Sequence, residues 1–223
     1  MEAWINLKDY TLLQQSFFIL DTLFWLVVYV LVEYKAQKYK YVGIPAMALA
    51  ANIGWEFVWS WVLVTDLGEL FVWGARLWFF FDVLLFYRLM QYGDKQISNF
   101  FLKKYFKLWV SLAVVMWAAL IYTFTVQFGD PIGGTTGYIL NLMMSILFIV
   151  LFLSNPKEKA LSLGIAWCKM IGTVLIVISF WVGAGEFPFV TVIGIATFLI
   201  DLCYIALLSN RQKIVSVLAQ NQK

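Results

Sequence analysis

The chain has 223 residues, of which 63% are hydrophobic and only 13% are charged, and its formal net charge is +3. A soluble domain carries a much larger charged fraction, so this composition excludes an ordinary soluble fold and indicates a membrane protein. Histidine is absent, which excludes Ser-His-Asp triads, histidine general bases and histidine metal sites.

Seven apolar segments follow one another along the chain. A helix that crosses the hydrocarbon core of a bilayer needs about 20 apolar residues, and each segment approaches that length. In chain order the segments cover about 12–34, 42–65, 70–92, 107–128, 136–154, 160–182 and 188–209. The sequence therefore predicts an all-α polytopic membrane protein, with a single domain over residues 1–223 and seven transmembrane helices in one bundle around a central cavity.

The basic residues are unevenly divided between the two sides of the predicted bundle. Only Lys8 lies on the side of the N-terminus, whereas most of the others follow spans 1, 3, 5 and 7. Those on the second side are Lys35, Lys38, Lys40, Arg88, Lys95, Lys103, Lys104, Lys107, Lys157, Lys159, Arg211, Lys213 and Lys223. Because cytoplasmic loops are enriched in lysine and arginine, the C-terminus is predicted to be cytoplasmic and the N-terminus non-cytoplasmic. The same charges indicate topology and not a nucleic-acid partner.

Ionisable residues inside the predicted spans are the strongest functional signal, because a charge at that depth costs about 3 kcal/mol or more. They are Asp21, Glu56, Arg76, Asp82, Lys169 and Asp201. Counted from the non-cytoplasmic end of each span, Asp21 and Glu56 lie about 9 residues deep, Asp82 about 12 and Asp201 about 13. At 1.5 Å per residue, the four carboxyl groups are expected within a layer roughly 6 Å thick.

Polar and aromatic side chains accompany the acids at helical spacing, so that they share one face of each helix. The stripes comprise Asn52, Trp55, Glu56 and Trp59 in span 2, Trp78 and Asp82 in span 3, Tyr138, Asn141 and Ser145 in span 5, and Thr197, Asp201 and Tyr204 in span 7. We expect these faces to point inward and to line the central cavity together.

The expected chemistry of this cavity follows from its acids and its aromatic rings. A buried carboxylic acid that stays protonated at neutral pH is a candidate general acid. Aromatic rings near the acids can attract a cation; they belong to Trp55, Trp59, Trp61, Trp78, Phe79, Phe80, Phe81 and Trp117. Such a cavity suits a reaction that begins by protonating an apolar substrate and continues through carbocations.

Structural roles are the alternatives for the same residues. Asp21 could form an ion pair with Arg76. Lys169 could neutralise Asp82 or Asp201, or its side chain could extend towards the cytoplasmic face. Many of the aromatic residues could serve in packing or as anchors at the membrane interface.

Three motifs occur in order along spans 2, 3 and 7: NIGWEFVW at 52–59, WFFFD at 78–82 and FLIDLCY at 198–204. In order and spacing they resemble the integral-membrane terpene cyclases of meroterpenoid and indole-diterpene biosynthesis. Members of that family are small, have seven predicted spans, and carry an N-x-x-W-E element in span 2 and an essential Asp in the last span. The resemblance extends from span 2 to span 7.

The resemblance implies that Glu56 and Asp201 are an acid pair that protonates a terminal epoxide or olefin of a prenylated substrate, with Asp82 as a further acidic position. The polyene then closes in a cationic cascade, and loss of a proton ends the reaction, which is class II-like chemistry of the isomerase or lyase type. No metal or other cofactor is expected, and neither a DDxxD nor a DxDD motif is present. The candidate substrate-binding residues are Asn52, Trp55, Trp59, Trp78, Asn141, Tyr204 and Asp21.

The expected partners are a hydrophobic prenylated small molecule and membrane lipid, and no oligomeric state is predicted. The membrane would be the endoplasmic reticulum in a eukaryote or the plasma membrane in a bacterium. The main alternative is a proton-coupled small-molecule transporter that uses the intramembrane acids as a relay, although no repeat relates spans 1–3 to spans 5–7. A retinal protein would need a lysine near the middle of the last span, where this chain has Asp201.

Overall fold

The computed structural model describes residues 4–130, 132–183 and 188–220, so Lys223 lies outside the described residues. Within these ranges all the regular secondary structure is helical, and no strand is present. The helices are α1 (Leu12–Tyr39), α2 (Ala46–Phe57), α3 (Glu69–Tyr92), α4 (Phe100–Lys104), α5 (Phe106–Phe128), α6 (Gly134–Ser154), α7 (Leu163–Val182), α8 (Pro188–Ser209) and α9 (Arg211–Gln220). A π-helical turn, Val58–Val62, continues α2, and a 3₁₀ turn, Gly93–Gln96, follows α3.

Six of the described helices are long and apolar enough to cross a membrane, namely α1, α3, α5, α6, α7 and α8. Each corresponds to one of the apolar segments recognised in the sequence. The prediction of an all-α polytopic membrane protein is therefore confirmed.

The second predicted span, 42–65, is too long at both ends. Pro45 has an extended conformation and precedes α2, which has 12 residues; the π turn adds 5 more, and Leu63 is extended again. Most residues of α2 are buried, and the helix packs against α3, α5 and α6. A helix enclosed by other helices satisfies its backbone internally, so it does not need the full length of a lipid-exposed span.

Gln96 holds the beginning of α2 against the end of α3. Its side-chain oxygen accepts a hydrogen bond from the Ala46 N–H at 3.0 Å, and its amide group donates to the carbonyl groups of Val42 at 2.9 Å and Ile44 at 2.8 Å. The residue itself is buried. The backbone before α2 therefore has its polar groups satisfied although no regular structure is present there.

At the opposite end of the bundle, residues 4–10 form a strap along the connection between α2 and α3. The Asn6 N–H donates to the Leu67 carbonyl, and the Leu70 N–H donates to the Trp4 carbonyl, both at 3.0 Å. These are backbone bonds, so the strap is attached in a defined register that does not depend on its side chains.

Two further residues secure the strap. Gly68 has a φ of 116°, and a Cβ atom there would lie 2.8 Å from the Trp4 carbonyl oxygen, so this position requires glycine. The Tyr10 hydroxyl donates to Asp66 Oδ1 at 2.6 Å. Burial and the neighbouring Asp66 raise the pKa of Tyr10, so the phenol stays neutral and keeps donating well above neutral pH.

The buried core is largest in the half of the bundle near the basic loops. The largest buried cluster contains the C-terminal part of α1, the N-terminal half of α2, the beginnings of α5 and α7, and the ends of α6 and α8. Two smaller clusters lie in the other half, one around Trp59 and Leu140 and one around Tyr138 and Phe180. Members of both clusters line the cavity described next.

Candidate active site

A cavity of about 120 Å³ lies in the half of the bundle away from the basic loops, beside the two smaller buried clusters. Helices α1, α2, α3, α6 and α7 contribute to its wall, together with residues that precede α6. Six of the predicted site residues line it, namely Asp21, Asn52, Trp55, Glu56, Trp78 and Asn141. The predicted cavity is therefore present, and it brings most of the candidate residues together.

Helix α2 supplies the central part of the wall. Asn52, Trp55 and Glu56 stand at i, i+3 and i+4, so they share one face of the helix. The Asn52 amide donates to the Tyr29 hydroxyl at 2.9 Å and to Asp82 Oδ2 at 2.7 Å. Asp82 is completely buried behind this amide and does not line the cavity. Asp82 is therefore connected to the cavity wall by its hydrogen bond with Asn52.

Asp21 and Glu56 are the acids on the cavity wall. Each is 3% exposed. Among the described residues, Asp21 Oδ1 and Glu56 Oε2 have no hydrogen-bond partner, and neither carboxyl group is in an ion pair. An ionised carboxylate in such a place costs several kcal/mol, and the neutral acid costs less. These two oxygens therefore keep a hydrogen-bonding capacity that no described residue uses.

The alternative ion pair between Asp21 and Arg76 is wrong. The Arg76 guanidinium lies over the rings of Trp61 at 5.2 Å and Trp73 at 4.8 Å, and its Nε donates to the Ser60 carbonyl at 3.4 Å. The π turn that contains Ser60 and Trp61 offers this arginine a carbonyl group and a ring close to α3. These contacts stabilise the Arg76 guanidinium, which does not line the cavity.

Asp201 does not share the cavity with Glu56, so that prediction is wrong. Its two carboxylate oxygens accept hydrogen bonds from Lys169 Nζ at 3.0 and 2.9 Å, and Lys169 also donates to Ser145 Oγ at 2.7 Å. Both members of this ion pair are 1% exposed. A buried lysine requires an opposite charge, and Asp201 supplies it. Of the roles considered for Lys169, neutralisation of Asp201 is the one found.

Trp59 and Tyr204 are buried in packing clusters instead of lining the cavity, which corrects their predicted positions. After Phe57 the helix changes to the π turn, which alters the register beyond Glu56 and places Trp59 in the cluster with Leu140. The Tyr204 ring packs against Phe148, with ring centroids 5.3 Å apart.

The aromatic wall differs from the predicted one. Trp55 and Trp78 line the cavity, but Trp61 and Phe80 are exposed on the outside of the bundle. The missed aromatic residues are Phe18, Trp25, Tyr29 and Phe180, whereas Tyr138, which was expected to face inward, does line the cavity. The first three lie three, four and eight positions from Asp21 on α1, so helical spacing around that acid would have found them.

The side chain of Trp55 is held by the N-terminal end of α6. Trp55 Nε1 donates to Thr136 Oγ1 at 3.0 Å, and the Thr136 hydroxyl donates to Asp130 Oδ2 at 2.7 Å. Asp130 also accepts from the backbone N–H groups of Thr135 at 3.0 Å and Thr136 at 2.9 Å. A Cβ atom at Gly133 would lie 2.6 Å from the Trp55 ring, so the absence of a side chain there makes room for the indole.

The fold and the cavity define a class of protein: a multi-pass helical membrane protein whose interior combines unpaired acids with aromatic rings. A family model for Pyr4-like transmembrane terpene cyclases matches residues 5–213. The chain therefore belongs to that family, and the resemblance recognised in its motifs is confirmed. This membership does not favour the transporter alternative.

One curated relative is the terpene cyclase macJ of Penicillium terrestre. It is 26% identical to this chain over 164 residues, which make up 71% of this chain and 63% of the relative. The match thus spans less than two thirds of the relative's length. No solved structure matches the chain.

Proposed function

We propose that this protein is a membrane terpene cyclase that protonates a terminal epoxide or olefin of a prenylated small molecule and guides a cationic cyclisation without a metal. Family membership supports the cyclisation of a terpenoid. The observation that carries the mechanism is the position of Glu56, a buried acid on the cavity wall whose Oε2 has no hydrogen-bond partner among the described residues.

In the proposed reaction the Glu56 carboxyl group donates its proton to the epoxide oxygen or to one alkene carbon. In the first case a C–O bond breaks, and in both cases a cation forms on the adjacent carbon. Internal double bonds then attack in turn, forming C–C bonds. The last cation loses a proton to a base, and the Glu56 carboxylate takes up a proton again before the next turnover. The rings of Tyr29, Trp55 and Trp78 on the cavity wall support the formation of the first cation because their faces attract cations.

We assign supporting roles to the two acids that lie outside the cavity. Asp82 fixes the orientation of Asn52, which stands one turn before Glu56 on α2. Asp201 balances the charge of Lys169, whose Nζ also holds Ser145 one turn beyond Asn141 on α6. Both acids are therefore proposed to position residues of the cavity wall and not to donate the initiating proton.

The proposed arrangement in the membrane has seven spans, with α2 and its π turn as a short one enclosed by α3, α5 and α6. We place the N-terminus on the non-cytoplasmic side and the C-terminus in the cytoplasm because the basic residues concentrate on one side. The membrane is that of the endoplasmic reticulum in a eukaryotic host or the plasma membrane in a bacterial one.

The experiment that tests the mechanism replaces the proposed donor. Glu56→Gln keeps the shape of the side chain but removes its acidic proton, so product formation should fall by about 10²–10⁴-fold. Purified protein in lipid nanodiscs is incubated with a farnesylated aromatic compound and with its terminal epoxide, and cyclised product is measured by mass spectrometry.

Glu69→Gln is the matched control, because Glu69 lies in the first turn of α3 and does not line the cavity. This variant should cyclise the substrate at the parent rate. Full turnover by a correctly folded Glu56→Gln protein would refute the role given to Glu56.

A further inference from the structure

An apolar groove of about 340 Å³ runs between α5 and α6 on the outside of the bundle. Its described lining is mostly apolar and includes Trp117, Leu120, Ile121, Phe124, Phe128 and Ile139. Leu120 and Phe128 are exposed, and on a membrane-spanning helix that exposure is towards lipid. The groove therefore opens to the interior of the bilayer.

The groove adjoins the cavity. Leu140 lines both of them. Thr136 lines the groove, and its hydroxyl accepts the hydrogen bond from Trp55, which lines the cavity. The partition between the lipid-facing groove and the acid-lined cavity thus contains Trp55 and Leu140.

The contacts between helices indicate where a molecule would pass from the groove to the cavity. This place is the boundary between α5 and α6, called the seam below. Helix α5 packs mainly along α2 and touches α6 only slightly, whereas α6 packs mainly along α8. Beside the partition, a Cβ atom at Gly137 would lie 3.7 Å from the Trp55 ring, so the space between them would hold a methyl group in ordinary van der Waals contact. A change of rotamer at Trp55 requires the loss of its hydrogen bond to Thr136.

The volumes of the cavity and of the groove suit different parts of a prenyl chain. The cavity, at about 120 Å³, is on the order of one that holds a benzene-sized molecule, which corresponds to a single isoprenoid unit. The remaining units of a prenyl chain need an apolar space that is continuous with it. The groove is larger and provides such a surface.

We propose that the groove binds the prenyl chain of a substrate that enters from the bilayer, and that the terminal isoprenoid unit passes between α5 and α6, beside Trp55 and Leu140, to reach Glu56. This inference rests on the proposed function for the identity of the reacting end. The binding surface itself can be tested without any turnover.

The binding test uses a farnesyl ether that carries a diazirine, with the Glu56→Gln protein in lipid nanodiscs, so that labelling does not depend on catalysis. We expect light to attach the probe to peptides from α5 and α6, and an excess of unlabelled farnesyl ether to suppress that attachment. A diazirine fatty acid serves as the control for ordinary lipid contact. Labelling that spreads over all lipid-facing helices, as with the fatty acid, or that an excess of farnesyl ether does not suppress, would overturn the proposal.

The entry test places a large side chain in the groove. Leu120→Trp should lower kcat/KM by about tenfold while leaving kcat nearly unchanged, since the variant obstructs access and not the chemical step. Val126→Trp is the matched control on α5, because Val126 is exposed but is not among the described residues of the groove. Equal kcat/KM values for the two variants would refute entry at this seam.

The two tests separate the two proposals. If the parent protein cyclises neither substrate but the probe still labels the groove competitively, the proposed reaction fails and the prenyl-binding groove stands. In the opposite case the parent is active, but labelling is not specific for the groove and Leu120→Trp has the same kcat/KM as Val126→Trp. That result would support the proposed reaction and refute the proposed entry path.

Discussion

Glu56 and Asp201 are both buried carboxyl groups, but their surroundings differ. Glu56 lines the cavity, and its Oε2 has no hydrogen-bond partner among the described residues. Both oxygens of Asp201 are bonded to Lys169, away from the cavity. Replacing the neutral Glu56 acid with an amide leaves no unpaired cation, whereas removing the charge of Asp201 leaves a buried lysine without its partner. Mutations at these two positions should therefore have different physical consequences.

Asp201→Asn should lower the free energy of unfolding by about 3–5 kcal/mol, because breaking a buried ion pair leaves one charge uncompensated. Activity should fall with it. The double variant Lys169→Met/Asp201→Leu removes both charges and should recover most of the stability and part of the activity. Unfolding in mixed detergent micelles measures the first quantity, and product formation measures the second.

The double variant also distinguishes a positioning role from a catalytic one. A stable double variant with no activity would contradict the positioning role and would assign Asp201 to the reaction itself, as the motif resemblance implies. A single variant as stable as the parent would show that the ion pair is not needed for the fold.

At the scale of secondary-structure elements, the backbones of α2 and α5 come into close contact where the two helices cross at Gly54. A Cβ atom at Gly54 would lie 2.8 Å from the backbone nitrogen of Ala118 and 3.1 Å from the Val114 carbonyl oxygen. Gly54 immediately precedes Trp55 and lies two residues before Glu56, so the spacing between α2 and α5 also sets the position of the cavity face.

Gly54→Ala should lower the free energy of unfolding by about 1–3 kcal/mol, because the added methyl group forces the two backbones apart. It should also reduce product formation. Gly74→Ala on α3 is the control, since a Cβ atom there has no neighbour within 4 Å and alanine favours a helix by up to about 1 kcal/mol. Equal thermal stabilities for the two variants would contradict the close crossing.

Hydropathy predicted the long helices well because each is apolar over most of its length and ends near a change in composition. The predicted segment 188–209 coincides with α8, and 136–154 differs from α6 by two residues at one end. The second span was predicted less well, since apolar composition continues past the points where Pro45 and Leu63 end the helical backbone. Apolar composition alone does not indicate a π turn.

The sequence predicted the part of the candidate site that follows from residue spacing within one helix. It did not predict the part that follows from how two helices pack against each other. The spacing of Asn52, Trp55 and Glu56 places them on one face whatever α2 packs against. The position of Asp201 depends on how α8 is rotated relative to α7, and the side chain of Lys169 decides which group the carboxylate meets. That rotation is set by packing between helices, which the periodicity of either helix does not specify.

For the whole molecule, the proposed orientation can be tested by cysteine labelling. Cys168 and Cys203 are first replaced by alanine, and a single cysteine is then introduced at Lys8 or at Lys159. A maleimide that does not cross membranes should reach position 8 from the non-cytoplasmic side of intact vesicles and position 159 only from the cytoplasmic side. The reverse pattern would contradict the orientation derived from the basic residues.

Removal of metal ions is a second prediction for the whole molecule. In the part of the chain that the structure describes, no three or more Cys, Asp or Glu residues are grouped so that they could hold a metal ion. Cyclisation should therefore continue at the parent rate, to within about twofold, in excess EDTA. A magnesium-dependent prenyltransferase in the same buffer provides the control for chelation. Loss of activity that is restored by Mg²⁺ would contradict the metal-free mechanism.

The N-terminal strap has a practical consequence. It is joined to the α2–α3 connection through its main chain, while the side chain of Leu7 is 57% exposed. Gln15 on α1, one turn before Phe18 of the cavity wall, donates to the Asn6 carbonyl at 3.1 Å. A fluorophore or spin label attached at position 7 would therefore report movements at this end of the cavity without disturbing the bonds that hold the strap.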